Sequence, residues 1–366
     1  MSTSFPARKK VLIVPLDWGL GHATRDIPLI HELLNAGCEV VIAAEGKHAA
    51  LLSREFPELT ILPLPGYHIT YSQKGLFFGL KILQQVPKIW KAVQYEQAWL
   101  RKTAAEHNIS AVISDNRFGL YHSSIPTVFI SHQLLIKTPF GGLTERLLQK
   151  MNYRFINRYS ACWIPDFAGE PNLSGELAHP SSLPDNTSYL GCLSRFEPKD
   201  GVEKKYDLLA LISGPEPQRT NLEELLLAQI KQMPGLKVLI VSGRPDEASE
   251  KEIIPGVTQV SHLDAKALNE AMLAADMVLS RSGYTTLMDL AKLDKKAILI
   301  PTPGQSEQEY LGKYLMQKGY FYSVPQLRFN LREALNATRT FPFTPFRQGQ
   351  NMDAYKKVVR DFVKTL

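Results

Sequence analysis

Cysteine is scarce in this chain: Cys38, Cys162 and Cys192 are the only three in 366 residues. The odd count and the lack of any C-x-x-C pair exclude a disulfide framework and a zinc ribbon, and leave reduced, buried thiols. No run of about 18 apolar residues occurs, which excludes a membrane-spanning helix. Arg8-Lys9-Lys10 followed by Val11-Leu12-Ile13-Val14 begins like a signal peptide, but the apolar run stops at Asp17, too soon for one. The segment reads as the first buried strand of a cytoplasmic protein. Several catalytic signatures are missing too. There is no G-x-x-x-x-G-K-[ST] phosphate loop and no G-x-S-x-G nucleophile turn. His31-Glu32-Leu33-Leu34-Asn35 has Asn where a zinc helix needs its second His, and no D-x-D pair offers carboxylates to a divalent metal. The expectation is a site without a metal.

What remains is an ordinary soluble composition, 44% hydrophobic and 21% charged, at a length that suggests two domains. The net charge of +6 is unevenly spread. Residues 68–160 carry 12 Lys+Arg against 4 Asp+Glu, so the rest of the chain is slightly acidic. A local basic surface suits an anionic partner such as a phosphorylated substrate or a lipid headgroup layer.

Short apolar runs alternate with helical patterns. Strands are predicted at 11–16, 39–44, 60–64, 111–114, 127–131 and 161–164, with helices at 26–36, 49–56 and 143–159. A long amphipathic stretch at 76–105 is interrupted by Pro87. A polar segment at 194–205 reads as a linker. The alternation then resumes: strands at 208–212, 237–241, 258–260, 277–279 and 297–301, and helices at 221–233, 265–275, 285–293 and 307–318. Strand–helix alternation of this kind implies parallel sheets covered on both faces. The predicted fold class is α/β, two Rossmann-like doubly wound domains facing a cleft. Their bounds are 1–196 and 206–346, and a terminal helix within 347–366 packs back on the first.

Ligands of open α/β sheets bind beyond the carboxyl ends of the strands, so the loops there carry the chemistry. The first is Asp17-Trp18-Gly19-Leu20-Gly21-His22-Ala23-Thr24-Arg25. Its glycines allow a close backbone approach, and His22 is placed to act as a general base or merely to cap the helix. Thr24 stands where a dinucleotide fingerprint needs its third glycine. The second, Ser280-Arg281-Ser282-Gly283-Tyr284-Thr285-Thr286, can cradle a phosphate at a helix start or simply cap it, and Asp289 is within reach of a ribose. The third, Pro301-Thr302-Pro303-Gly304-Gln305-Ser306-Glu307-Gln308-Glu309, offers amides and carboxylates for sugar hydroxyls, or a capping box between Ser306 and Glu309. A fourth, from Ser213-Gly214 to Arg219-Thr220, brings a guanidinium suited to a diphosphate.

Together these loops resemble the GT-B glycosyltransferases, above all the branch that moves N-acetylglucosamine from its UDP donor to a lipid-linked muramoyl-pentapeptide. Gly21-His22 matches that branch's first loop. Ser280, Arg281, Gly283 and Thr286 match its S-R-x-G-x-x-T-x-x-E run, with Asp289 for Glu. Pro301 and Gln308 match its Pro-rich loop and paired glutamines, with Glu309 at the second position. Two departures stand out. Gly214-Pro215-Glu216-Pro217-Gln218-Arg219 replaces Ser-Gln-Gly-Ala, and Leu20 separates the glycines before His22. The resemblance carries the fold and the donor class, not the acceptor.

It implies a metal-independent, cofactor-free, inverting transfer of a hexose-type sugar from a UDP-sugar to a hydroxyl. His22 would be the base, with Asp115 and Asp17 as fallbacks. Gly21, Gly214, Arg219, the backbone of Leu263, Ser282, Gly283, Tyr284, Thr285, Asp289, Gln308 and Glu309 would bind the donor. A nucleotide-sugar epimerase or hydrolase on the same fold is the alternative. An NAD-dependent oxidoreductase, suggested by Gly19, Gly21 and Glu45, ranks lower. The basic segment also carries Tyr67, Tyr71, Phe77, Phe78, Trp90, Tyr95, Trp99, Phe140 and Tyr153, interleaved with Lys81, Lys88 and Lys91. This mixture reads either as a peripheral surface for the inner face of an anionic membrane, beside a lipid-linked acceptor, or as core. No nucleic-acid motif is present.

Overall fold

The computed structural model describes residues 8–67, 78–138, 141–244, 247, 249–347 and 349–366, and only the backbone of 78–87. The chain divides into two compact units, Met1–Ser194 with Asn351–Leu366, and Arg195–Gln350.

The first unit is built on β1 (Lys10–Pro15), β2 (Glu39–Ala43), β3 (Thr60–Leu62), β4 (Ala111–Asp115), β5 (Thr127–Ile130), β6 (Ala161–Ile164) and β7 (Thr187–Tyr189). They form one sheet in the order β3-β2-β1-β4-β5-β6-β7, parallel throughout. Its helices are α1 (Gly21–Asn35), α2 (Gly46–Glu55), α3 (Phe78–His107) and α4 (Gly142–Ile156). Strands such as Val11-Leu12-Ile13-Val14 are apolar without alternation because both sheet faces are covered.

The second unit repeats the plan. β8 (Tyr206–Leu211), β9 (Val238–Val241), β10 (Glu250–Ile254), β11 (Val257–Val260), β12 (Ala275–Ser280), β13 (Ala297–Leu299) and β14 (Tyr322–Ser323) order as β10-β11-β9-β8-β12-β13-β14. Only β10 is antiparallel to its neighbour. The helices are α5 (Gln218–Ile230), α6 (Ala265–Ala274), α7 (Tyr284–Lys292), α8 (Ser306–Gln317) and α9 (Leu331–Thr340).

In each sheet the chain reverses its direction of winding beside the first strand, between β1 and β4 and between β8 and β12. The register ends these pairs together: Pro15 lies opposite Asp115, and Leu211 opposite Ser280. Such switch points open a crevice at the carboxyl ends of the strands.

Several elements differ from the sequence expectation. α1 starts at Gly21 rather than at residue 26, with Pro28 inside it. α3 runs through Pro87 without a break. β7, β10, β14 and α9 were not anticipated. β10 reads Glu-Lys-Glu-Ile-Ile and is exposed at a sheet edge, where charge guards an open strand and erases the apolar signal. β7 and β14 are too short to show a period.

The last helix, α10 (Ala354–Lys364), closes the first unit by packing on α1. Val359 is fully buried, the Phe362 ring meets Trp163 edge-on at 5.3 Å, and Arg360 Nε donates to Glu32 Oε1 at 2.6 Å. Val359→Ala removes two buried methyl groups and leaves a void. Its expected cost is about 1.5–3 kcal/mol, read as a lower denaturant midpoint at unchanged m.

Candidate active site

The first loop is held by contacts from its neighbours. Gly19 takes φ +73, and its carbonyl accepts from His48 Nε2 at 2.9 Å. Asp17 accepts the N–H of Tyr67 at 2.9 Å, and Glu45 accepts that of Gly66 at 2.6 Å. Asp17 and Glu45 therefore tie loops together.

α1 begins directly after this loop, so His22, Arg25 and Asp26 share one helix face at i, i+3 and i+4. That face meets the end of β4. His22 Nδ1 lies 2.9 Å from Asp115 Oδ2, and Arg25 Nε donates to the same oxygen at 2.8 Å. Arg25 Nη2 donates to Asp115 Oδ1, completing a two-pronged pair, while Arg25 Nη1 lies 3.2 Å from Nδ1 of buried His132. A guanidinium only donates, so His132 Nδ1 accepts.

Asp115 is completely buried. Burial opposes its charge, but the Arg25 guanidinium and His22 outweigh this and hold the carboxyl well below the usual carboxylate range. An ionised Asp115 assigns the proton of His22 to Nδ1 and leaves Nε2 to take another. Asp115 is thus the partner of His22 rather than a substitute for it. His22 is 13% exposed. Burial, helped by Arg25, outweighs Asp115 and pulls its pKa below the ordinary 6.5.

Sequence reasoning missed Arg25, Asp26 and His132. Arg25 and Asp26 become visible only once the helix is started at Gly21, which puts them in register with His22. His132 carries no such signal.

In the second unit three loops at strand ends come together. Arg281 is buried and donates to Ile300 O at 3.2 Å, Gln326 Oε1 at 2.7 Å and Gln218 O at 2.6 Å, so it clamps the start of α5 to the loop after β13. Ser282 Oγ donates to Gln308 O at 2.8 Å. Gln308 Oε1 accepts from Thr302 N at 2.9 Å, and its amide donates to Gln305 at 2.6 Å. Glu309 accepts from Gly304 N at 2.9 Å.

These contacts revise several expectations. The cap of α8 is Gln305, without a side-chain bond of its own, and Ser306 is the first helical residue. Gly283 caps α7, again without a side-chain bond, and the Tyr284 ring is buried beneath the loop. Thr285 and Asp289 are half-buried on the first two turns of α7, and Leu263 is half-buried after β11. Gly214 takes φ +111 in the loop after β8. Arg219 there pairs with Glu216 at 2.9 Å and donates to Gly243 O at 3.0 Å. Among the described residues, no group of three or more His, Cys, Asp or Glu side chains is placed to hold a metal ion, and no helix is long and apolar enough to cross a membrane.

Solved structures similar over nearly the whole chain share this architecture. MurG of Acinetobacter baumannii matches at TM-score 0.58 and 14% identity, covering 98% of this chain and 100% of that one. The spinosyn rhamnosyltransferase SpnG complexed with thymidine diphosphate matches at 0.57 and 15%, covering 97% and 96%. An uncharacterized glycosyltransferase of Methanopyrus kandleri is 24% identical over 80% of this chain and 86% of its own length. A UDP-N-acetylglucosamine–N-acetylmuramyl-(pentapeptide) pyrophosphoryl-undecaprenol N-acetylglucosamine transferase of Methylorubrum populi is 28% identical over 36% of this chain and 38% of its own. The chain has the GT-B fold of these solved glycosyltransferases, and its sequence relatives carry glycosyltransferase names. Within it, residues 217–366 match the glycosyltransferase family 28 C-terminal domain.

The buried pair supplies a direct test. Arg25→Met leaves Asp115 buried without its main counter-charge, for an expected loss of about 3–5 kcal/mol. Glu216→Ala removes a half-exposed partner of Arg219 and should cost under about 1 kcal/mol. Urea midpoints of both variants measure this; equal losses would show that Arg25 does not carry the Asp115 charge.

Proposed function

We propose that this glycosyltransferase moves a hexose-type sugar from a UDP-sugar to a hydroxyl acceptor with inversion and without a metal. The observation that carries the reading is the His22–Asp115–Arg25 cluster at the β1/β4 switch point. His22 Nε2 takes the proton of the acceptor hydroxyl, whose oxygen attacks the anomeric carbon. The bond from that carbon to the diphosphate oxygen breaks, and the nucleoside diphosphate leaves. Asp115 holds the tautomer and balances the imidazolium, while Arg25 keeps Asp115 ionised.

The second unit binds the donor in this scheme. The start of α7 at Gly283, Tyr284 and Thr285 faces the diphosphate with its helix dipole, and Gly214 lets the loop approach closely. Arg219 adds positive charge, Asp289 holds the ribose, the Leu263 backbone holds the base, and Gln308 with Glu309 holds the sugar. The muramyl-pentapeptide transferase relatives are UDP-sugar enzymes by name, and SpnG carries a nucleoside diphosphate.

A lipid-linked acceptor is supported by α4. Leu143, Leu147 and Met151 are 85%, 61% and 43% exposed at i, i+4 and i+8, with exposed Arg146, Lys150 and Arg154 beside them. Half-exposed Trp90 touches Phe155 of the same helix. An apolar stripe flanked by cations suits an anionic headgroup layer. Of the aromatics first considered for this surface, Tyr67 is core, bonded to Glu96, and Trp99 packs on a core cluster. Tyr71, Phe77 and Phe140, and the side chains of Phe78 and Lys81, lie outside the described residues.

Turnover with a panel of UDP-sugars and lipid-linked alcohols tests the chemistry. His22→Ala should lower kcat/KM by about 10²–10⁴-fold, and Asp115→Asn by at least about 10²-fold. Because the base works unprotonated and its pKa is depressed, kcat/KM should hold through neutrality and fall only below pH 6.5. Excess EDTA should leave the rate unchanged. Full activity of His22→Ala, or sugar release without any acceptor, would overturn the assignment. For the surface, the protein should co-sediment with phosphatidylglycerol vesicles at low salt and not with phosphatidylcholine vesicles. Replacing Leu143, Leu147 and Met151 together with Ser should abolish binding while leaving the melting temperature intact.

A further inference from the structure

One carboxyl in the first unit has no part in the proposed reaction. Asp26 is completely buried, and among the described residues neither of its side-chain oxygens meets a hydrogen-bond donor other than what the Asp115 carboxyl could share. It sits four residues after His22 on the same face of α1, and its carboxyl lies against that of Asp115. The two carboxyls are treated very differently. Asp115 receives Arg25 Nε, Arg25 Nη2 and His22 Nδ1. Among the described residues, no N–H reaches Asp26.

The charged and titratable groups facing this pair are Arg25 and His22 from α1, and His132 from the segment after β5. Arg25 is a single positive charge. Two ionised carboxylates beside it would leave a buried negative charge without a donor. A hydrogen bond between two carboxyls forms only when one of them holds a proton, and Asp115, saturated with N–H donors, is not that one.

We infer that Asp26 is held as a neutral carboxylic acid whose O–H is directed at Asp115, and that it is a positioning residue keeping the site at one negative charge. Burial first, and then the neighbouring Asp115, push its pKa well above the ordinary 3.8 against the pull of Arg25. The consequence falls on His22. With one anion and one guanidinium the cluster is neutral, and His22 stays unprotonated near neutrality. A second anion would hold the imidazolium and remove the base. The functional half of this inference rests on His22 being the base; the protonation of Asp26 does not.

The test starts on the unaltered protein. With ¹³C-labelled aspartate, the Asp26 carboxyl signal should keep the acid shift through pH 7, and ionisation below pH 5 would overturn the inference. Asp26→Asn preserves a neutral group with an N–H for Asp115. The NMR titration of His22 should then move by less than about 0.3 units, and the acid limb of kcat/KM should stay in place. A fall of about one unit or more, as removal of a nearby anion produces, would overturn it. Asp26→Ala, which lacks the donor, should lower kcat where Asp26→Asn does not; equal rates would remove the positioning role.

Stability gives an independent reading. The unfolded chain ionises Asp26 above about pH 4 and the folded chain keeps the proton, so wild-type stability drains away as pH rises. Asp26→Asn should therefore gain melting temperature over wild type progressively from pH 4 to pH 8, and a constant gap would overturn the neutral-acid assignment. If His22→Ala kept full activity, the base reading would fail. The Asp26 carboxyl signal and the melting gap would still decide whether Asp26 holds its proton.

Discussion

The first unit turns on the buried negative charge of Asp115. Asp115 ends β4 with no exposure to water, and a lone carboxylate cannot stay ionised there. The Arg25 guanidinium, reaching it through two nitrogens, makes the charge tolerable, and this fixes much else. It sets the rotation of α1 about its axis, because Arg25 must face β4. That rotation brings His22 to the other side of the same oxygen and buries Asp26 beside it. It also brings Arg25 to His132. The tautomer of His22 follows from an interaction between residues 93 positions apart in sequence.

The same need for partners shapes the strand ends. Loops at a switch point expose backbone N–H and C=O groups that helices and strands would otherwise satisfy. Here charged side chains supply the missing bonds. Arg117, itself paired with Glu96 at 2.6 Å, donates to Pro65 O at 2.5 Å. Asp166, fully buried, accepts three backbone N–H groups, those of Phe167, Leu173 and Ser174, each at 2.9 Å. Arg281 performs this task in the second unit. These residues hold the rim of each sheet by bonding its backbone, and a motif search has no means of separating that task from ligand binding.

That explains what was legible in the sequence. The alternation of apolar strands with amphipathic helices is a local property, so both parallel sheets could be read from it. α9 was lost because Leu331, Ala334 and Thr338 are its only buried residues, too sparse a stripe to stand out. The start of α1 was misplaced because its large apolar residues begin only at Ile27, which set the helix at residue 26 and left Arg25 in the loop. Glycines, serines and glutamines at strand ends correctly marked the loops. They did not reveal that Ser282, Gln308 and Glu309 are bonded within those loops, because residue type says what a side chain can bond and not what lies beside it.

This internal bonding constrains how a donor can be recognised. In the proposed scheme a sugar recruits the Gln308 carbonyl beside Thr302 N or in exchange for it, and Glu309 beside Gly304 N or in exchange for it. Each exchange replaces one hydrogen bond by another, and the abandoned N–H must find water or the ligand itself. The net gain per contact is then small, within the roughly 0.5–1.5 kcal/mol of an ordinary exchanged bond and often below it. The diphosphate is in a different position. In the proposed scheme it meets the helix dipole at the start of α7, where the cap, Gly283, has no side chain to compete for the site. Affinity in that scheme comes chiefly from the nucleotide and its phosphates. The sugar in that scheme contributes less, because a hexose lacking the recruiting hydroxyl leaves the loop's own hydrogen bonds in place and forfeits only the small gain of an exchanged bond.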